Sequence, residues 1–307
     1  MQKFSVIIPC FKAAATLPAT LASIAAQTHP ASEVICIDDG STDATQSIVA
    51  AIAAQDPRVR LARNPGKGPS AARNHGALTL ATVDIVAFCN ADDVWSPTKL
   101  GELATAFADP ATDAAYGQVA FFRHQPQDAA AFSTVPDQPL TIPMLLGENP
   151  ICTMSNIAIR QTRFAATGGF DSRMVHNEDL EWLIRLAGTG ARIVGLDLCQ
   201  TWYRACTGGL SADLEAMTRG RATALETAAR FGHVPGPAAK AIYQRYLARR
   251  SLRLGQGRVA PLRYALRGLA YSPAGFFSAP RRGVMTLAAA CAALVLPRGV
   301  CQSLFAR

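Results

Sequence analysis

Four short apolar runs, FSVIIP (4–9), EVICID (33–38), RVRLA (58–62) and DIVAFC (84–89), alternate with stretches of helical periodicity at 17–27, 43–54 and 69–81. Rich in β-branched and aromatic residues, the short runs read as strands, and the longer amphipathic stretches read as helices. Strands that alternate with helices in this way form a mainly parallel sheet covered by helices on both faces, an α/β fold. Thr42 or Asp43 is expected to cap the second helix, and Pro69-Ser70 to open the third. A fourth helix is expected from SPTKL, with Ser96 as N-cap and Pro97 at the first helical position.

In open sheets of this kind ligands sit beyond the carboxyl ends of the strands. Three polar clusters fall there: Pro9-Cys10-Phe11, Asp38-Asp39-Gly40-Ser41 and Asn90-Ala91-Asp92-Asp93. Polar groups are costly at the end of a buried strand unless they are paired or used. Asp38 and Asp39 can accept hydrogen bonds from a nucleobase or a ribose hydroxyl, and they can also serve as ordinary helix-capping acids. Lys67 and Arg73, in GKGPSAARNHG, are cations near a helix start, where a diphosphate is favoured. The glycines of that segment fit neither a Walker nor a dinucleotide spacing. Glu178 and Asp179, in HNEDLEW, follow Asn177 as an expected N-cap and suit the first turn of a helix.

Beyond residue 110 the pattern is mixed. AAYGQVAFF, ICTMSNIAI (151–159) and ARIVGL (191–196) read as strands, GGFD (168–171) as a turn and NEDLEWLIRLAGTG as an amphipathic helix. From about residue 211 the chain is helical. The expected division is a nucleotide-binding and catalytic domain at 1–215 and a basic helical region at 216–307. Charge supports the division. Of the 30 Lys and Arg residues, 15 lie in 219–307 against one acid, Glu226, whereas 1–218 carries 15 against 21 acids. The basic region lacks any zinc-finger or RNP-like signature, so nucleic acid is not the expected partner. An anionic membrane surface and a set of solvated helix faces both remain open for it. VMTLAAACAALVL (284–296), flanked by Arg281, Arg282 and Arg298, is 13 residues long. That is short of the roughly 20 a spanning helix requires. The eight cysteines show no metal spacing, and several lie in apolar runs, as expected in a reducing compartment. The first residues carry too short an apolar run for a signal peptide, so no export is expected.

FSVIIPCFKAAATLPATLASIAAQT, EVICIDDGSTDAT, RNPGKGPSAARNHGA, ADDVWSPTKL and GGFD with NEDLEWLIRLA stand in the order found in family 2 glycosyltransferases. Over about residues 4–211 the chain resembles bacterial members of that family that build cell-surface polysaccharides. The resemblance implies a GT-A fold, a nucleotide-sugar donor, a Mn²⁺ or Mg²⁺ ion and inversion at the anomeric carbon. With the charge and cysteine pattern, the expected protein is a cytoplasmic enzyme, peripheral at the inner face of the bacterial plasma membrane, acting on a glycan or lipid-linked acceptor.

Residue by residue, the resemblance puts Pro9, Phe11, Asp38, Asp39, Lys67, Arg73, Asn74, Asn90 and Arg204 at the donor. It makes Asp92 the metal ligand and Asp179 the general base, with His176, Glu178 and Trp182 on the acceptor side. Two positions depart from the family pattern. Asn90 stands where the family carries an acid, and Cys206 stands where it often carries a His. Both soften the metal site, so a non-catalytic sugar-nucleotide-binding relative is the rival reading. A nucleotidyltransferase is disfavoured because the Gly-rich segment follows the third strand, not the first.

Overall fold

The computed structural model describes residues 2–205, 213–296 and 300. The chain folds as two compact units, Met1–Leu140 with Pro150–Cys206, and Thr141–Asn149 with Thr207–Arg307. The first unit ends at Cys206, short of the expected 215. The short segment 141–149 also joins the later unit, which sequence continuity could not reveal.

The first unit opens with β1 (Phe4–Cys10), α1 (Leu17–Ala25), β2 (Glu33–Asp38), α2 (Thr45–Ala53), β3 (Val59–Arg63), α3 (Gly68–His75) and β4 (Ile85–Phe88). The strands β3-β2-β1-β4 are parallel neighbours, with Ile7 opposite both Ile35 and Phe88. β1, β2 and β4 are almost wholly buried, as strands covered on both faces must be. Then come β5 (Val94–Trp95), α4 (Lys99–Ala106), β6 (Ala114–Phe122) and β7 (Ala131–Phe132). After α5 (Ile142–Gly147), which belongs to the second unit, follow β8 (Ile157–Arg160), α6 (Gln161–Ala166), α7 (Glu178–Gly188) and β9 (Ile193–Arg204).

These later strands make the sheet mixed rather than mainly parallel. Its order is β3-β2-β1-β4-β8-β6-β9-β5, with β7 on β6, and β8 runs antiparallel to both β4 and β6. Of the expected strand at 151–159 only the end is extended, because Met154–Asn156 coil into a 3₁₀ turn. The fourth helix also starts later than expected. Its N-cap is Thr98, since Val94–Trp95 are drawn into pairing with β9. Asp43 does bond the first turn of α2, accepting from Thr45 N at 3.1 Å, although Ala44 holds the N-cap position.

The second unit gathers α5 with α8 (Leu214–Arg230), α9 (Pro237–Leu254), α10 (Ala260–Tyr271), α11 (Pro273–Phe276) and α12 (Pro280–Val295). Small side chains, Ala241, Ala248, Ala265 and Ala290, pack around Phe276. Not all of this unit's positive charge faces water. Arg245 is buried, donates to Phe276 O at 2.7 Å and lies 3.7 Å from Glu148, which also pairs with Arg282. Arg221 is buried too, donating to Leu146 O with its guanidinium 3.8 Å from the centre of the Tyr243 ring. Segment 141–149 thus contributes an acid to a region that otherwise has almost none.

Gly76, where α3 widens into a π-helical turn, lies directly against β1 and β2. A β-carbon there would sit 2.4 Å from Ile7 Cγ2 and 2.8 Å from Ile37 Cδ1. Gly76→Ala is therefore expected to destabilise the first unit by about 1–3 kcal/mol, the range for overpacking a core. Urea unfolding checks this; an unchanged midpoint would mean that α3 does not seat as closely as the backbone shows.

Candidate active site

The carboxyl ends of β1, β2 and β4 share one edge of the sheet, so their polar clusters lie together. At the end of β1, Pro9 is partly buried and Phe11 is 57% exposed, leaving an aromatic ring at the edge. At the end of β2, Asp38 is buried. Its carboxylate accepts from the backbone N–H groups of Gly40 and Ser41 and from Gln46 Nε2 at 2.8 Å. Asp38 therefore shapes its own loop, chiefly through Oδ2. Asp39 is more accessible. It accepts from Asn64 Nδ2 at 2.8 Å and from Gly68 N at 3.0 Å, which places a negative group on the N-terminus of α3. Lys67 is exposed beside it, its Nζ 3.3 Å from Asp39 O.

Arg73 and Asn74, both expected at the donor, turn inward. Asn74 pairs its amide with the backbone of Phe170, donating to its O and accepting from its N, each at 2.8 Å. That pairing explains the GGFD turn. Gly169 has φ +75°, and a β-carbon on it would strike Asn74 Oδ1 at 2.4 Å. Arg73 is only 5% exposed, an interior strut rather than a surface cation for phosphate. Its Nη1 donates to Glu178 Oε1 at 3.1 Å and its Nη2 to Asn90 Oδ1 at 2.9 Å, and the guanidinium lies 5.6 Å from the centre of the Phe170 ring.

Asn90 is equally engaged. Besides Arg73, its Nδ2 donates to Thr153 Oγ1 at 3.0 Å and to Asp93 Oδ2 at 3.3 Å. Asp93 is fully buried and also accepts from Ser155 Oγ, from Thr153 Oγ1 and, at 3.0 Å, from Arg204 N. Burial and neighbouring Asp92 push its pKa up, while these hydrogen bonds pull the other way. Asp93 belongs to the polar cluster expected at the end of this strand; Thr153 and Ser155 are the members of the network that sequence reading missed. An acid directly after a buried strand marks Asp93 in the sequence, whereas nothing local marks Thr153 or Ser155.

Asp92 is partly exposed, and burial raises its pKa against the opposing charge of Arg204. Arg204 spends Nε on Asp92 O at 3.1 Å and Nη1 on His124 O at 3.3 Å, so much of its guanidinium braces backbone rather than facing a diphosphate. Among the described residues no three His, Cys, Asp or Glu side chains converge as a metal cage. Asp93 is consumed by its own bonds, whereas Asp92 keeps partial exposure at this strand end. Cys206 lies outside the described residues.

α7 begins with Glu178 and Asp179 after Asn177, which holds the N-cap position with φ 57°. Burial, with the like charge of Glu178, pushes the Asp179 pKa up to about 6, partly offset by Arg73 and by the Leu180 N–H. His176 is partly exposed two residues ahead of the helix. Trp182 is not on an acceptor surface. It is fully buried against Phe88, Phe164 and Phe170, and its Nε1 donates to Thr167 Oγ1 at 3.0 Å. From Leu180 onward α7 runs buried, so the helix enters the core directly after Asp179.

Residues 5–166 match the model of glycosyl transferase family 2, more than half of the chain. The chain belongs to that family. An uncharacterized glycosyltransferase of Nostoc is 37% identical over 107 residues, 34% of this chain and 33% of that protein. The chain thus matches about a third of that relative's length. An Escherichia coli protein described as a UDP-Glc:α-D-GlcNAc-diphosphoundecaprenol β-1,3-glucosyltransferase is 26% identical over 69% of this chain and 81% of its own. Among solved structures, a Pyrobaculum calidifontis mannosyltransferase in complex with GDP-Man and Mn²⁺ aligns with TM-score 0.60 and 20% identity, covering 99% of this chain and 84% of that one. Staphylococcus aureus TarS 1–349 in complex with UDP-GlcNAc aligns with TM-score 0.59 and 17% identity, over 95% and 82%. The fold is of the GT-A type.

The pKa of Asp179 is directly measurable. Followed by carboxyl-carbon NMR in the free protein, it should titrate near 6, well above the ordinary aspartate value of about 3.9. A midpoint at or below the ordinary value would mean that Arg73 outweighs burial and Glu178.

Proposed function

We propose that the chain is an inverting glycosyltransferase that moves a sugar from a nucleotide-sugar, a UDP-sugar, to a glycan or lipid-linked acceptor in surface polysaccharide synthesis. One observation carries this reading. The raised carboxyl of Asp179 opens a helix that Glu178 and Arg73 tie to the carboxyl end of β4. Inversion needs a base that takes the acceptor hydroxyl's proton while the oxygen attacks opposite the departing diphosphate, and a carboxylate with pKa near 6 is suited to that role at neutral pH. The relative named for UDP-Glc and the neighbour bound to UDP-GlcNAc support a UDP-sugar, and the former supports a lipid-linked acceptor.

On the donor side the accessible groups are Phe11, whose ring can border a base, and Asp39 and Lys67 beyond β2. Asp92 fits a Mn²⁺ or Mg²⁺ ion, since such ions are commonly held by one or two carboxylates plus substrate phosphates. A bound cation would supply charge stabilisation for the leaving diphosphate. The test is transfer from a panel of nucleotide-sugars, with and without Mn²⁺, and NMR of the product anomer. Asp179→Asn should retain UDP binding and lose roughly 10²–10⁴-fold in turnover, the range for a missing general base. Near-full turnover in that variant, or retained anomeric configuration, would overturn the assignment.

The same reading places the enzyme at an anionic membrane face through its second unit. α12 buries Gly283, Thr286, Ala290 and Ala293, yet its opposite side exposes Val284, Met285, Cys291 and Val295. A helix apolar on both sides with one side open suits an interfacial position. No helix among the described residues is long and apolar enough to cross a membrane. Arg258, Arg263, Arg267 and Arg281 are exposed, and each basic residue near an anionic surface contributes about 1 kcal/mol. Co-sedimentation with phosphatidylglycerol vesicles should weaken with salt and with Val284→Asp/Met285→Asp. Equal binding to neutral vesicles would exclude the electrostatic component.

A further inference from the structure

Asn90 stands between two buried groups of opposite demand. The Arg73 guanidinium offers only donors, and the Asp93 carboxylate, bonded on every side, offers acceptors. A side chain between them must accept on one side and donate on the other. An amide does both, and the observed contacts use it so: Oδ1 toward Arg73, Nδ2 toward Asp93 and Thr153. An ionised carboxylate would serve Arg73 but face Asp93 with like charge. A hydrophobic residue would leave both partners short. Asn90 is therefore matched to its surroundings, not a decayed remnant of a metal ligand.

The consequence runs through Arg73. Its Nε is buried without a partner, so its orientation depends on the two Nη contacts and on Phe170. One of those contacts is Asn90. The other is Glu178, the residue that opens α7 beside Asp179. We propose that Asn90 is a positioning residue that acts through Arg73 to hold the Glu178–Asp179 end of α7 at the carboxyl edge of β4, without itself meeting donor or metal. The proposal rests on Asp179 being the base.

The experiment compares full-length wild type, Asn90→Ala, Arg73→Gln and the double variant by three readouts: UDP affinity by calorimetry, the Asp179 midpoint by carboxyl-carbon NMR in the free protein, and kcat and donor KM. If Asn90 acts through Arg73, Asn90→Ala leaves UDP affinity within about threefold. It raises the Asp179 midpoint, because the positive charge that lowers it is no longer held beside Glu178. It lowers kcat by tenfold or more at nearly constant donor KM. The double variant is then no worse than Arg73→Gln alone, as residues coupled in one network are not additive. A tenfold or larger loss of UDP affinity with an unmoved Asp179 midpoint would make Asn90 a donor contact and overturn the proposal. Additive losses in the double variant would overturn it as well. If Asn90→Ala does not fold, Asn90→Ser takes its place, since the shorter hydroxyl cannot span to Arg73. Should wild type bind no nucleotide and transfer no sugar, the functional reading fails, but the Asp179 midpoints in the free proteins still decide whether Asn90 holds Arg73.

Discussion

The buried contact between Arg73 and Asn90 is the constraint on which the candidate site depends. A guanidinium at 5% exposure needs acceptors inside the protein, and with Nε unpartnered the two Nη groups carry that demand. Asn90 supplies one acceptor from the end of β4 and Glu178 supplies the other from the start of α7. Three segments far apart in sequence are therefore held at one point. Asn90 passes the constraint on to Asp93, whose carboxylate gathers Thr153, Ser155 and the N–H of Arg204. The chain of contacts alternates donor and acceptor throughout, so each member is determined by the polarity of its neighbours.

The first half of the fold is legible in the sequence because its signals are local. β1, β2 and β4 are continuous apolar runs, and their expected ends lie within a residue of the observed ones. The second half is less legible because its strands are set by partners. Residues 151–156 have strand-like composition, yet Thr153, Ser155 and Asn156 bend out of the extended form to bond Asp93, Asn90 and the backbone of Gly117. Val94–Trp95 look like the approach to a helix but pair with β9 instead. No window of residues 90–100 contains β9, so that pairing could not be read there.

The same distinction applies to the site. Sequence order identifies which strand ends carry polar groups, and Phe11, Asp39, Lys67 and Asp92 are at least partly accessible there. It cannot tell which polar groups are occupied by other protein atoms. Asp38, Arg73, Asn74 and Trp182 are ligand-facing by sequence pattern, and in the structure each is tied by hydrogen bonds within the protein, Arg73 through its two Nη groups. Burial decides between these roles, and burial is a property of the packed chain. Trp182 shows the limit clearly. Its indole lies where α7 is buried on successive residues from Leu180 to Ile184, and that burial is readable only once the neighbours of α7 are known.

Asp93 shows why fold and site cannot be separated in this molecule. A carboxylate buried without partners would carry a desolvation cost of several kcal/mol. Here the donors come from the 3₁₀ turn before β8 and from the end of β9, that is, from the mixed half of the sheet. The antiparallel insertion of β8 beside β4 brings Ser155 within reach of both Asp93 and Asn90 N. Trp95 extends the link, donating Nε1 to Ser155 O at 2.8 Å, and buried Lys99 reaches Thr201 Oγ1 on β9 at 3.0 Å. The added strands thus do more than widen the sheet. They satisfy the polar end of β4, burying Asp93 among donors while the neighbouring Asp92 stays partly exposed.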